Sequence, residues 1–162
     1  MNKHLLTEDQ VIEGAKNYLL NKGRTKSRRT LGQASAETKQ HGIDLHVKLE
    51  DAKGQGNNYF IEAKGNLRSD GQEMKTPMNS NFRWAVSQII LKIKVDSTKN
   101  NYIYVIAVPD SEASKCLRLM EDTWSLKSLK IRLYGAYRKK DGTLTAREYL
   151  PSEIYTKKGR MK

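Results

Sequence analysis

Apolar and polar positions repeat with two different periods along this chain, and each change of period marks an element. Val11, Ile12, Ala15, Tyr18 and Leu19 recur at helical spacing. Thr7 followed three residues later by Gln10 makes a capping box, so the pattern predicts a helix over residues 8–22, stopped by Gly23. Residues 24–40 are polar and basic without a clear period, and an irregular arm or an edge strand is expected there. The period then falls to two. Ile43, Leu45, Val47 and Leu49 alternate with Asp44, His46 and Lys48, as on a half-buried strand. Gly54 and Gly56 follow, so the strand is expected to turn back as a hairpin into residues 59–64.

Residues 67–80, with Gly71 and Pro77, read as a polar loop. Phe82, Ala85, Val86, Ile89 and Ile93 then define one apolar face of a helix over residues 81–95. Trp84, Gln88, Leu91 and Val95 form a second stripe, so this helix is expected to be buried on two sides, its second face packing against the first helix or against another copy of the chain in a homodimer. The β-branched and aromatic run 102–108 suits a central strand closed by Pro109. A helix over 111–122, a strand over 131–138 and a turn at Asp141-Gly142 into a last strand complete the series. That order describes a single mixed α/β domain with a central sheet flanked by helices.

Length and charge narrow the picture. The 162 residues allow one compact domain, placed at 1–155, with a basic and flexible tail at 156–162. Lys and Arg number 30 against 18 Asp and Glu, a net charge of +12 that calls for an anionic partner. No apolar run approaches the roughly 20 residues of a bilayer helix, so no membrane partner is expected. The first residues lack the apolar core of an export signal, and Cys116 is the only cysteine, which excludes an internal disulfide and a Cys-rich zinc site. A cytoplasmic protein is the expectation. His41 and His46 fall on opposite faces of a strand, which argues against a joint metal site.

The chemistry gathers at the hairpin. A turn centred near Gly54 sets Asp44 opposite Lys64, with Glu62 on the same face and diagonal to Asp44 at roughly 7 to 8 Å. Any register of the same parity keeps the three together. Two carboxylates so placed repel each other unless a cation lies between them, and oxygen donors with open positions suit Mg²⁺, with Mn²⁺ as a substitute. Glu-x-Lys alone is common on the solvent face of a strand; the upstream aspartate after Gly42-Ile43 adds weight to the chemical reading.

Gly42-Ile43-Asp44-Leu45 followed by Glu62-Ala63-Lys64 at the end of an apolar strand resembles the catalytic pattern of the PD-(D/E)XK nuclease superfamily. The element order resembles that family's αβββαβ restriction-endonuclease-like core, and Ala85-Val86-Ser87-Gln88 is similar to the Ala-x-x-Gln helix of several branches. Ile43 stands where the family name has proline, and Lys92 where an aromatic often follows the glutamine. The resemblance implies Asp44 and Glu62 as metal ligands, the Ala63 carbonyl as a third and Glu13 as a water-mediated ligand. Lys64 would position the attacking water, and Gln88 would order that water or a phosphate. Arg28, Arg29, Lys75 and Arg83 flank the proposed site as phosphate contacts, and His46, on the face of Asp44, is expected to touch the metal water or a phosphate. The expected activity is a Mg²⁺-dependent endodeoxyribonuclease using a metal-activated water. The alternatives are a nucleic-acid-binding protein of the same fold that does not cut, a dimeric structure-selective junction resolvase, or a nuclease directed at RNA.

Overall fold

The computed structural model of the chain describes residues 5–26, 31–40, 43–51, 56–93, 101–121, 129 and 131–149. In chain order it contains α1 (Glu8–Lys26), β1 (Leu31–Gln40), β2 (Ile43–Asp51), β3 (Gly56–Ala63), α2 (Met78–Lys92), β4 (Tyr102–Pro109), α3 (Asp110–Glu121), β5 (Arg132–Arg138) and β6 (Leu144–Tyr149). The chain is thus an α/β protein with one mixed sheet and three helices. The strands lie side by side in the order β1-β2-β3-β4-β5-β6. β1, β2 and β3 form an antiparallel meander, β3, β4 and β5 run parallel, and β6 returns antiparallel to β5. Each parallel step needs a crossover, and α2 and α3 supply them.

The alternation of the strands divides the core into two layers. Leu45, Val47, Ile61, Ala63, Val105 and Ala107 point to one side and pack with Val11, Ala15 and Leu19 of α1. On the other side Ile106, Val108 and Leu133 pack with Phe82, Ala85 and Ile89 of α2 and with Ala113, Cys116 and Met120 of α3. β4 is covered on both faces, which is why its sequence is continuously apolar.

Several boundaries differ from the sequence pattern. α1 runs through Gly23 to Lys26, since an isolated helical glycine costs only about 1 kcal/mol. Residues 31–40 form an edge strand, paired with β2 through Ala34↔Leu49 and Ala36↔Val47. α2 starts three residues earlier than its apolar face suggested, directly after Pro77, whose missing N–H is no loss at a helix start. Its second stripe does not pack on α1: Trp84 is 63 % and Leu91 77 % exposed, and the buried face is Met78, Phe82, Ala85 and Ile89. Val95, Arg28, Arg29, His41 and the tail 156–162 lie outside the described residues. No described helix is long and apolar enough to cross a membrane.

A polar junction fastens α1 to the sheet. Glu148 on β6 pairs with Lys22 of α1, accepts a hydrogen bond from Tyr18 Oη at 3.2 Å, and meets Arg132 Nη1 of β5 at 2.6 Å. Burial alone would raise its pKa, but Lys22 and Arg132 outweigh burial and hold the carboxyl below the usual carboxylate range. Tyr134 lies edge-on to Tyr18 at 5.2 Å, its hydroxyl buried without a hydrogen-bond partner among the described residues.

Candidate active site

The start of β2 and the end of β3 meet at one edge of the sheet. Leu45 pairs with Ile61, and continuing that register sets Asp44 opposite Glu62. The expected facing of Asp44 and Lys64 is therefore corrected by two residues. Because the offset is even, parity is preserved and the acids share a face. The Ala63 N–H donates to Asp44 Oδ2 at 2.7 Å, which fixes that carboxylate. Lys64 Nζ donates to Glu62 Oε1 at 2.9 Å and stands 3.8 Å from Asp44 Oδ2. Both acids thus crowd a single ammonium.

A third carboxylate arrives from α1, and it is Glu8, whose Oε2 lies 3.5 Å from Lys64 Nζ. The residues before α1 pair with those after β3. Leu6 N–H donates to Asn66 Oδ1 at 2.9 Å, and the Asn66 and Leu67 N–H groups donate to the Leu6 carbonyl at 3.0 and 3.1 Å. Thr7 forms a parallel bridge with Leu67. The capping box closes as expected, with Gln10 N–H donating to Thr7 Oγ1 at 3.3 Å and Thr7 N–H to Gln10 Oε1 at 3.1 Å. It places Glu8 in the first turn. Glu13, the helix acid expected at the site, is exposed and makes no ion pair with Lys64. It lies about 7.5 Å further along α1 and about 140° around it.

Gly65 permits this close approach. A Cβ there would stand 2.5 Å from Glu8 N and 2.7 Å from the Thr7 carbonyl carbon, both backbone atoms. Gly65→Ala is expected to cost about 2 kcal/mol by overpacking, read as a lower unfolding midpoint in urea. An unchanged midpoint would mean that the 5–7 segment does not seat against Gly65.

The electrostatics follow from burial and crowding. Glu62 is only 5 % exposed, and burial pushes its pKa up; Asp44 and Glu8 add to this while Lys64 opposes it. Burial would lower the Lys64 pKa, but the bonded Glu62 together with Glu8 and Asp44 holds it above the usual lysine range. Lys64 is therefore charged at neutral pH. Among the described residues, three carboxylates surround this one ammonium.

Among the described residues no three of His, Cys, Asp and Glu form a metal-binding group by themselves. Asp44 and Glu62 are a pair of hard oxygen donors held in one patch, which suits a divalent cation. That set fits Mg²⁺, which takes one or two carboxylates and keeps several waters.

The remaining expected residues make no ion pair or hydrogen bond with Asp44, Glu62 or Lys64 among the described residues. Gln88 is half-buried on α2. Lys75, in the segment before α2, and Arg83, on α2, are exposed. His46 stacks on its cross-strand neighbour Phe60 at 4.6 Å and 4°, with Nε2 3.2 Å from Asn58 Oδ1. Phe60 continues this aromatic row to Tyr104. Comparison of the chain with protein-family models, with curated proteins and with solved structures finds no match in any of the three.

Proposed function

We propose that the chain is a Mg²⁺-dependent endodeoxyribonuclease of the PD-(D/E)XK type. The observation that carries this reading is the gathering of Asp44, Glu62 and Lys64 at the end of β3. The first six elements also follow the order αβββαβ that the resemblance implies. Asp44 and Glu62, with the Ala63 carbonyl, would hold Mg²⁺. When bound, the ion supplies Lewis-acid polarisation of water and of the phosphate oxygens.

The chain's own groups do the rest. The Ala63 N–H keeps the Asp44 carboxylate aimed without reorganisation. Lys64, held by Glu62 and close to Asp44, would act as a hydrogen-bond donor to the attacking water or a phosphate oxygen. A phosphorus–oxygen bond forms to water as the ester bond opposite breaks, and the water proton passes to solvent or to the leaving oxygen. Glu8, 3.5 Å from Lys64 Nζ, helps to hold that ammonium in place. DNA is the partner in this reading, attracted by the net charge of +12. A second copy of the chain docked on the exposed Trp84 and Leu91 would supply the second site that cutting a duplex needs, and light scattering measures it.

The test is cleavage of supercoiled and branched DNA with Mg²⁺, Mn²⁺ or Ca²⁺. Lys64→Gln is expected to slow cleavage by about a hundredfold while binding in EDTA persists, as for loss of one donor to a developing charge. Binding by the unmodified chain without any cleavage would replace this reading with that of a non-cutting nucleic-acid-binding protein.

A further inference from the structure

We infer that the tip of the β5–β6 hairpin, Arg138, Lys139 and Lys140, is a phosphate-binding arm for the DNA that enters the carboxylate site, an inference that rests on the nuclease reading above. The sheet places it there. β3, β4 and β5 are parallel, so their C-terminal ends share one edge. Ala63 pairs with Ala107 and Val108 with Gly135, which sets Lys64 level with Gly135, and Arg138 comes three residues later. Two strand spacings and three residues of rise put the tip about 10 Å to the side of Lys64 and about 10 Å beyond it. That is roughly four nucleotide steps along one strand at ~3.4 Å each.

The tip is built to hold its shape. Lys139 N–H donates to the Thr143 carbonyl at 2.9 Å and Gly142 N–H to the Lys139 carbonyl at 3.1 Å, with Gly142 at φ 87°. Arg138 Nη1 donates to the Gly142 carbonyl at 3.1 Å, and Thr143 N–H to Asp141 Oδ1 at 2.9 Å, so the one acid of the turn faces back into it.

The tip's three cations outnumber its one acid, Asp141, which Lys139 partly offsets. Lys22, Lys48, Arg68, Lys115, Arg132 and Arg147 each pair with a carboxylate. Arg138, Lys139 and Lys140 are exposed and form no ion pair among the described residues. Among the described residues Asp44 and Glu62 outnumber the one ammonium they share, so affinity for a polyanion has to come from cations within a few nucleotides of the site. This tip is such a group, at the same edge of the sheet.

The experiment compares the unmodified chain with the triple variant Arg138→Gln, Lys139→Gln, Lys140→Gln and with a control that also removes three positive charges, Lys16→Gln, Lys115→Gln, Arg118→Gln. Anisotropy of a short fluorescein-labelled DNA duplex is titrated in EDTA at several salt concentrations, with thermal melts to check folding. The triple variant is expected to melt normally, to bind about tenfold more weakly at low salt, and to show a salt slope smaller by about two to three. The control is expected to change little. Equal binding by the triple variant and the unmodified chain, or an equal loss in the control, overturns the arm and leaves the nuclease reading standing. No binding by the unmodified chain overturns both.

Discussion

If the chain is the nuclease proposed above, Asp44→Asn is expected to lower Mg²⁺-dependent DNA cleavage by about a thousandfold while folding and DNA binding are kept. The size follows from losing one of two anionic oxygen donors to an ion that supplies several kcal/mol of transition-state stabilisation, where about 4 kcal/mol is a thousandfold in rate. The structure keeps the two consequences of the change apart. Asparagine retains an oxygen to accept the Ala63 N–H, so the local geometry survives. It also removes a charge that pushes Glu62 towards protonation, so the thermal midpoint should hold or rise slightly. Nicking of supercoiled plasmid beside a thermal melt reads both. Cleavage at the original rate would remove Asp44 from the chemistry, and a large fall in midpoint would assign it a structural role instead.

Glu148→Gln is expected to produce the largest loss of stability, about 3 kcal/mol. Removing the charge leaves Lys22 and Arg132 facing a neutral group in a largely buried setting, and breaking such a pair costs 3–5 kcal/mol when both partners are fully enclosed. Lys22 and Arg132 keep some water contact, which places the value at the low end. For a domain of this size the midpoint falls by roughly 6–12 °C. The pH dependence has a defined sign. The folded-state pKa of Glu148 is depressed, so its contribution is fully present above the unfolded carboxylate value of about 4.3 and is lost as pH falls through the lower folded value. Urea midpoints measured from neutral pH down to acid should therefore converge for the variant and the unmodified chain. A constant gap across that range would show that Glu148 acts through packing alone.

The elements most legible in the sequence are those whose burial is one-sided and periodic. Alternation from Ile43 to Leu49, the helical spacing of Val11 to Leu19, and the apolar run of β4 each describe a surface pressed against a core. Asp44, Glu62 and Lys64 were visible as a group because a shared strand face depends only on parity, which survived a two-residue change of register. β1 was harder to read. Leu31–Gln40 has only small or isolated apolar residues and is held by its ladder to β2, an interaction of backbone groups that side-chain patterns do not report. The start of α2 was hidden by the polar residues Asn79, Ser80 and Asn81 after Pro77. Glu8 was missed for a different reason. Its capping box was readable, but its approach to Lys64 depends on residues 6 and 7 pairing with residues 66 and 67, sixty positions away, and on the missing side chain at Gly65.

The first helix joins two places that share no residue. Its opening turn presents Glu8 to Lys64, and about 20 Å along its axis Lys22 is locked to Glu148 on β6, three strands across from β3. A stiff rod held at both ends transmits a tilt at one as a displacement at the other. The bearing of the Lys64 ammonium is thereby tied, through one helix, to a fastening made at the sixth strand.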